Sequence, residues 1–175
     1  MESKIKAYTI QPLAFWEALQ KDGEAYADGR RVIFKHFYKP YKWMRQQLKK
    51  KVPHSKGYPI WFWVKPNQDL RKIRSQYGKK GQKMVVIHFE INPKLCLLSD
   101  FEHWHAVLND SYLFLNDQEE KIYDNLTKLP KKQQNQLIKE SWQKIFNIKK
   151  SDYIQGVTEY LSLKWVVKVN HFVSK

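Results

Sequence analysis

Two polar side chains interrupt an apolar stretch near the C-terminus, and they are the first candidates for chemistry. In Ile154-Gln155-Gly156-Val157-Thr158-Glu159-Tyr160-Leu161, the two-residue period of a strand puts Gln155, Val157, Glu159 and Leu161 on one face. The same face continues through Leu163, Trp165, Val167 and Val169. A lone carboxylate in such a face is expensive to bury unless it is paired or lines a cleft. Glu159 therefore reads either as the wet end of the strand or as a cleft carboxylate with Gln155 beside it. Other constellations carry less. His88 and Glu90 share a strand face and suit either an acid–base pair or a solvated polar face. His103 and His105 lie two residues apart on an expected helix and so point to different sides; with Asp100 they supply at most two ligands to one ion, too few for a zinc site. No metal site is expected. GxGxxG, Walker A and GxSxG signatures are absent. The one cysteine, Cys96, lies in the apolar run Leu95-Cys96-Leu97-Leu98 and reads as an inert core thiol.

The charge is concentrated rather than spread. Seventeen Lys and Arg face a single acid, Asp69, between Gly29 and Phe89, whereas the rest of the chain is nearly neutral. A folded chain with this distribution carries a positive face, and such a face attracts polyanions, nucleic acid first. The candidates for phosphate contact are Lys49, Lys50, Lys51, Arg71, Lys72, Arg74, Lys79 and Lys80. Aromatic residues from Phe37 and Tyr41 to Trp61 and Tyr77 interleave with them, as base stacking requires. A lysine-rich solvated surface is the plainer alternative.

The elements that position these residues alternate irregularly. A first strand is expected over residues 4–11, followed by a helix that begins at Pro12, carries Leu13, Trp16 and Leu19 inward and stops near Gly23. A second helix is expected from Pro40 to Lys51, with Tyr41, Met44 and Leu48 inward. Residues 58–64 read as a strand, 65–83 as a basic connection, and 84–91 as an alternating strand. Ser99 as N-cap with Glu102 three residues on forms a capping box for a short helix through Trp104 and Leu108. An acidic segment follows around Asp117-Glu119-Glu120, then a helix from Pro130 with Ile138, Trp142 and Ile145 inward, and a long β region over 153–173. Strands at both ends and in the middle, without regular βαβ spacing, give an α+β class of mixed or antiparallel sheets with peripheral helices. With 175 residues, 42% of them hydrophobic and 15% aromatic, residues 1–175 are expected to form one domain with a real core. No apolar run approaches a membrane span, and a cytoplasmic location without a membrane partner is expected.

Two stretches resemble a known architecture. Tyr8-Thr9-Ile10-Gln11, with Trp16, Leu19 and Gly23, resembles the opening strand, helix and glycine turn of bacterial ADP-ribosyltransferase-like domains. Thr158-Glu159-Tyr160-Leu161-Ser162-Leu163, continuing through Trp165 and Val169, resembles the last element of that fold, in which a catalytic glutamate opens a strand. Between them, Tyr58-Pro59-Ile60-Trp61-Phe62-Trp63 and Leu97-Leu98-Ser99-Asp100-Phe101, with Trp104, His105 and Asn109, resemble the bacterial family named domain of unknown function 3841. The transferase resemblance implies a split β-sandwich and NAD as cofactor. It also implies that Glu159 stabilises the oxocarbenium formed when nicotinamide leaves, that Gln155 orients the acceptor, and that Tyr8, Thr9, Gln11 and Trp61 contact the cofactor. The sequence departs from that pattern at Thr9, where His or Arg is usual, and at Val157, where Gln or Glu is usual. The first and last strands are predicted to be neighbours, bringing Thr9 or Gln11 close to Glu159. Two other readings remain open: a non-catalytic RNA- or DNA-binding protein, and an interaction module whose basic face meets an acidic protein.

Overall fold

The computed structural model describes residues 3–27, 35–52, 58–66 and 70–175. Arg30, Arg31, Lys56 and Asp69 of the basic stretch lie outside the described residues. The protein is α+β. Six antiparallel strands make the central sheet in the order β5-β6-β3-β1-β4-β8. They are β1 (Ile5–Pro12), β3 (Ile60–Lys65), β4 (Lys83–Ile91), β5 (Cys96–Asp100), β6 (Ile154–Thr158) and β8 (Val166–Val173). A separate ribbon pairs β2 (Glu24–Tyr26) with β7 (Tyr160–Ser162).

Alternation along the strands sorts side chains onto two faces. Val85, Ile87, Phe89 and Ile91 of β4 share one face with Ala7 of β1 and with Ile60 and Phe62 of β3. That core is closed by Leu19 of α1 (Leu13–Asp22) and by Ala25 and Leu161 of the ribbon. Gly23 ends α1 in the left-handed conformation, φ 76°, and its N–H bonds the Leu19 carbonyl at 2.9 Å. The opposite face is covered by three helices. The first is α2 (Tyr38–Lys51), with Met44 and Leu48 fully buried, and the second is α4 (Phe101–Leu108). The third is α6 (Lys131–Ser141), which runs into a 3-10 turn over Trp142–Phe146. Trp43, Trp104, Trp142 and Val157 meet there. Farther along the same face, Ile73 of α3 (Leu70–Gln76) packs on Tyr8, Met84, Val86 and Phe172. Among the described residues no helix is long and apolar enough to cross a membrane.

Several expectations need correction. The region 153–173 is three strands in two sheets, because the chain bends at Glu159 and makes a 3-10 turn at Leu163–Trp165. The first strand is not beside β6 or β7: β3 stands between β1 and β6, and β8 pairs with β4. The N-cap of α4 is Asp100, whose Oδ1 accepts from His103 N at 2.8 Å, while Ser99 ends up inside β5. The basic connection contains α3, and the acidic segment is helix α5 (Asp117–Asn125), capped by Asn116 and started by three carboxylates that favour its positive end.

Candidate functional site

The central sheet is weakest between its two middle strands. β1 and β3 share one registered pair, Tyr8 with Trp63, and then part. Beyond it the ladder is replaced by side chains: Thr9 Oγ1 donates to the Trp61 carbonyl at 2.8 Å, and Gln11 Nε2 donates to Thr9 Oγ1 at 2.9 Å. Pro12, which ends β1, has no N–H to continue the pairing. On the other side of the pair, Tyr8 OH donates to the Pro66 carbonyl at 2.8 Å. The parted strands open a cleft of about 920 Å³.

Its lining comes from five elements or more. β1 gives Thr9, Ile10 and Gln11; β3 gives Ile60 to Trp63; α2 gives Tyr41; α4 gives Phe101 and Trp104; and β6 gives Gln155. The apolar part is a set of flat rings in contact. Trp61 lies 5.0 Å from Trp104 and 5.6 Å from Tyr41 between ring centroids, and Trp63 lies 4.8 Å from Phe101. Burial pushes the Tyr41 hydroxyl pKa up, which keeps it protonated as a donor.

Gln155 is the most informative polar group. It is 5% exposed, and its Nε2 has no hydrogen-bond partner among the described residues. Ser99, its neighbour across β5–β6, is 1% exposed, and its Oγ is likewise unpartnered. A buried polar group left so costs about 1–3 kcal/mol, and it is usually met by a ligand or water. The described lining contains one cation, Lys79, and no carboxylate.

Thus Thr9, Gln11, Trp61 and Gln155 line one cleft, although they come from three strands. Tyr8 lies beside it, its ring 5.8 Å from His88. Glu159 does not line it. The bend after β6 ends the alternation, so Glu159 no longer shares the face of Gln155. It stands half-buried near Tyr26 and Tyr160, whose hydroxyl pKa values are raised first by burial, then by Glu24 and Glu159. His88 meets Asn170 Nδ2 at 3.2 Å, and its pKa is lowered by burial and by Lys168. Among the described residues no group of three or more His, Cys, Asp or Glu could hold a metal ion.

The basic candidates fall on the α2–α3 side of the sheet. Lys49, Lys50 and Lys51 form the exposed last turn of α2; Lys72 and Arg74 are exposed on α3. Lys79 and Lys80 are exposed in the turn before β4, and Lys79 reaches the cleft. The side chain of Arg71 lies outside the described residues.

The family model for Domain of unknown function DUF3841 matches residues 6–168. The chain belongs to this family. The DUF3841 match runs from β1 into β8 and takes in every strand that lines the cleft, as well as Glu159. No curated protein and no solved structure matches the chain. Sequence reasoning missed Ser99, taken for a cap, and Trp104, taken for helix packing; Tyr41 was read as an inward helix residue and as one of the stacking aromatics, not as part of a cleft. Alternation along β5 and β6 places Ser99 opposite Gln155, but only once their register is known.

Proposed function

We propose that this DUF3841 domain is an ADP-ribosyltransferase-like protein that binds NAD between β1 and β3 and acts on a nucleic acid held on its basic face. The observation that carries this reading is the unpartnered amide of Gln155, buried in an aromatic cleft that it shares with Thr9, Gln11 and Trp61. Trp61 and its ring neighbours offer the nicotinamide a stacking surface. Gln155 Nε2 donates to an acceptor on the ligand, Gln11 presents an amide, and Lys79 meets phosphate at the rim. Cleavage of the bond from C1′ to nicotinamide builds positive charge on the ribose, which a carboxylate stabilises. In this reading the carboxylate would be Glu159, which stands at the bend after β6, outside the cleft lining.

A second reading, a non-catalytic nucleic-acid-binding protein, is favoured by the absence of a carboxylate from the described lining. Here the cleft takes an unstacked base, and nothing is cleaved. Calorimetric titration with NAD, followed by release of labelled nicotinamide, separates the two. The first reading predicts binding that Gln155→Ala weakens about tenfold, the scale of one hydrogen bond in a buried site. Heat from a base-bearing oligonucleotide but none from NAD supports the second.

A further inference from the structure

A groove of about 600 Å³ runs between α2 and α6, away from the cleft described above. Helices in contact normally interlock apolar side chains. Here the facing stripes are polar instead. On α2, Gln46, Gln47 and Lys50 follow Trp43 at intervals of three, four and seven residues. Across from them Lys132, Asn135, Gln136, Lys139 and Gln143 repeat at the same helical spacing. Trp43 closes the base, 8% exposed and stacked on Phe146 at 5.8 Å. Gln143 Nε2, from the 3-10 turn that follows α6, donates to Gln47 Oε1 of α2 at 3.1 Å, and Lys50 Nζ approaches the same oxygen at 3.4 Å. The one acid in the described lining, Glu140, accepts from Gln136 Nε2 at 2.8 Å.

We infer that this α2–α6 groove is the docking track for a single-stranded nucleic acid, with phosphates on Lys50, Lys132 and Lys139 and bases or sugars on the carboxamides. It rests on the nucleic-acid partner of the reading above, though not on its NAD cleft. Three exposed cations against one engaged acid give the track the charge a phosphodiester chain needs. The amides decide between polyanions. Gln46 and Asn135, which the bonds above leave unengaged, offer both donors and an acceptor, which match base edges and sugar hydroxyls, whereas the carboxylates of an acidic peptide accept only. From Lys132 to Gln143 the track is about 16 Å long at 1.5 Å per residue, room for a few nucleotides. Lys132 and Lys139 lie outside the basic stretch of the sequence; folding brings them against Lys50, at the end of α2 where Lys49 and Lys51 extend the charge.

The test uses the full chain and fluorescein-labelled 12-nucleotide single strands of mixed sequence, one RNA and one DNA, in fluorescence anisotropy across a salt series. The double variant Lys132→Glu/Lys139→Glu is expected to lose at least tenfold in affinity for whichever strand binds. Its log–log salt slope should be shallower by about 1.4, at roughly 0.7 per phosphate on a single strand. Lys164→Glu/Lys168→Glu, equally exposed in the turn before β8 and on β8, controls for the general field and should lose at least threefold less. Asn135→Ala/Gln143→Ala, which keeps the charge, should weaken binding while leaving the salt slope alone. Circular dichroism verifies folding of each variant. The inference is overturned if neither strand binds the wild type at low salt, if the Lys164/Lys168 pair loses as much as the α6 pair, or if an acidic peptide of equal charge competes as well as the oligonucleotide. NAD titration of the same α6 variant should match the wild type; a wild type without NAD binding counts against the cleft reading alone.

Discussion

Gly156 lies in β6 between Phe62 of β3 and Leu98 of β5, one residue from Gln155. A Cβ there would stand 2.5 Å from Phe62 Cε2 and 2.8 Å from Leu98 Cδ2. They fall about 1.0 and about 0.7 Å inside ordinary contact, taken as roughly 3.5 Å between carbons. Phe62 has nowhere to go: it is 1% exposed, and its ring meets Phe89 edge-on at 5.5 Å and 82°. Gly156→Ala therefore forces the ring off its rotamer or pushes β3 from β6, at about 1–3 kcal/mol for overpacking. Restricting the unfolded chain offsets about 0.4–1 kcal/mol of that. The net loss is about 1–2 kcal/mol, which lowers Tm by roughly 2–8 °C in a chain of this size. Urea denaturation of Gly156→Ala, Phe62→Leu and the double variant reads the effect as a cycle. The smaller side chain makes room for the methyl group, so the two changes should couple favourably by about 1–2 kcal/mol. A Gly156→Ala protein as stable as the wild type, or a strictly additive pair, would refute the packing described here.

Three further outcomes are expected. Thr9→Val keeps the shape but strips the Trp61 carbonyl and the Gln11 amide of their shared partner; it should lower stability by about 1–3 kcal/mol in denaturant titration and weaken NAD binding in calorimetry. Burial pushes the Cys96 thiol up to about 11, with Lys51 acting weakly in the opposite direction, from an ordinary value of 9.0. The folded state therefore keeps its proton longer than the unfolded state. This contribution is complete below about pH 9 and is lost as pH rises toward 11, so Cys96→Ala should flatten the fall of stability across that window. Glu159→Gln should leave NAD affinity unchanged, since the residue does not line the cleft, while lowering nicotinamide release by about two to three orders of magnitude. Unchanged release would remove Glu159 from the chemistry.

The local signals in the sequence were reliable where one element decides them. Alternation from Val85 to Ile91 describes β4, Gly23 stops α1, and Leu13, Trp16 and Leu19 turn inward. Long-range pairing was not legible. Nothing in residues 153–173 announces that the chain leaves one sheet at Glu159, joins a ribbon, and returns on the far side of β4, because strand partners are chosen by distant surfaces. Extending one alternation across that bend put Gln155 and Glu159 on a common face. α3 was hidden because seven residues with one fully buried side chain among those described, Ile73, make too short a stripe to stand out among charges. Thr9, Gln11 and Trp61 were named from resemblance to a fold and Gln155 first from strand alternation, yet their shared cleft depends on the parting of β1 from β3, which Thr9 itself secures.

The cleft is tested most directly by a crystal structure of the protein grown with saturating NAD. Density for the nicotinamide riboside is expected in the cleft against the Trp61 ring, with Gln155 Nε2 within about 3.2 Å of a ligand oxygen. Density elsewhere on the protein, or an empty cleft with Gln155 still unpartnered at saturating NAD, would contradict the assignment.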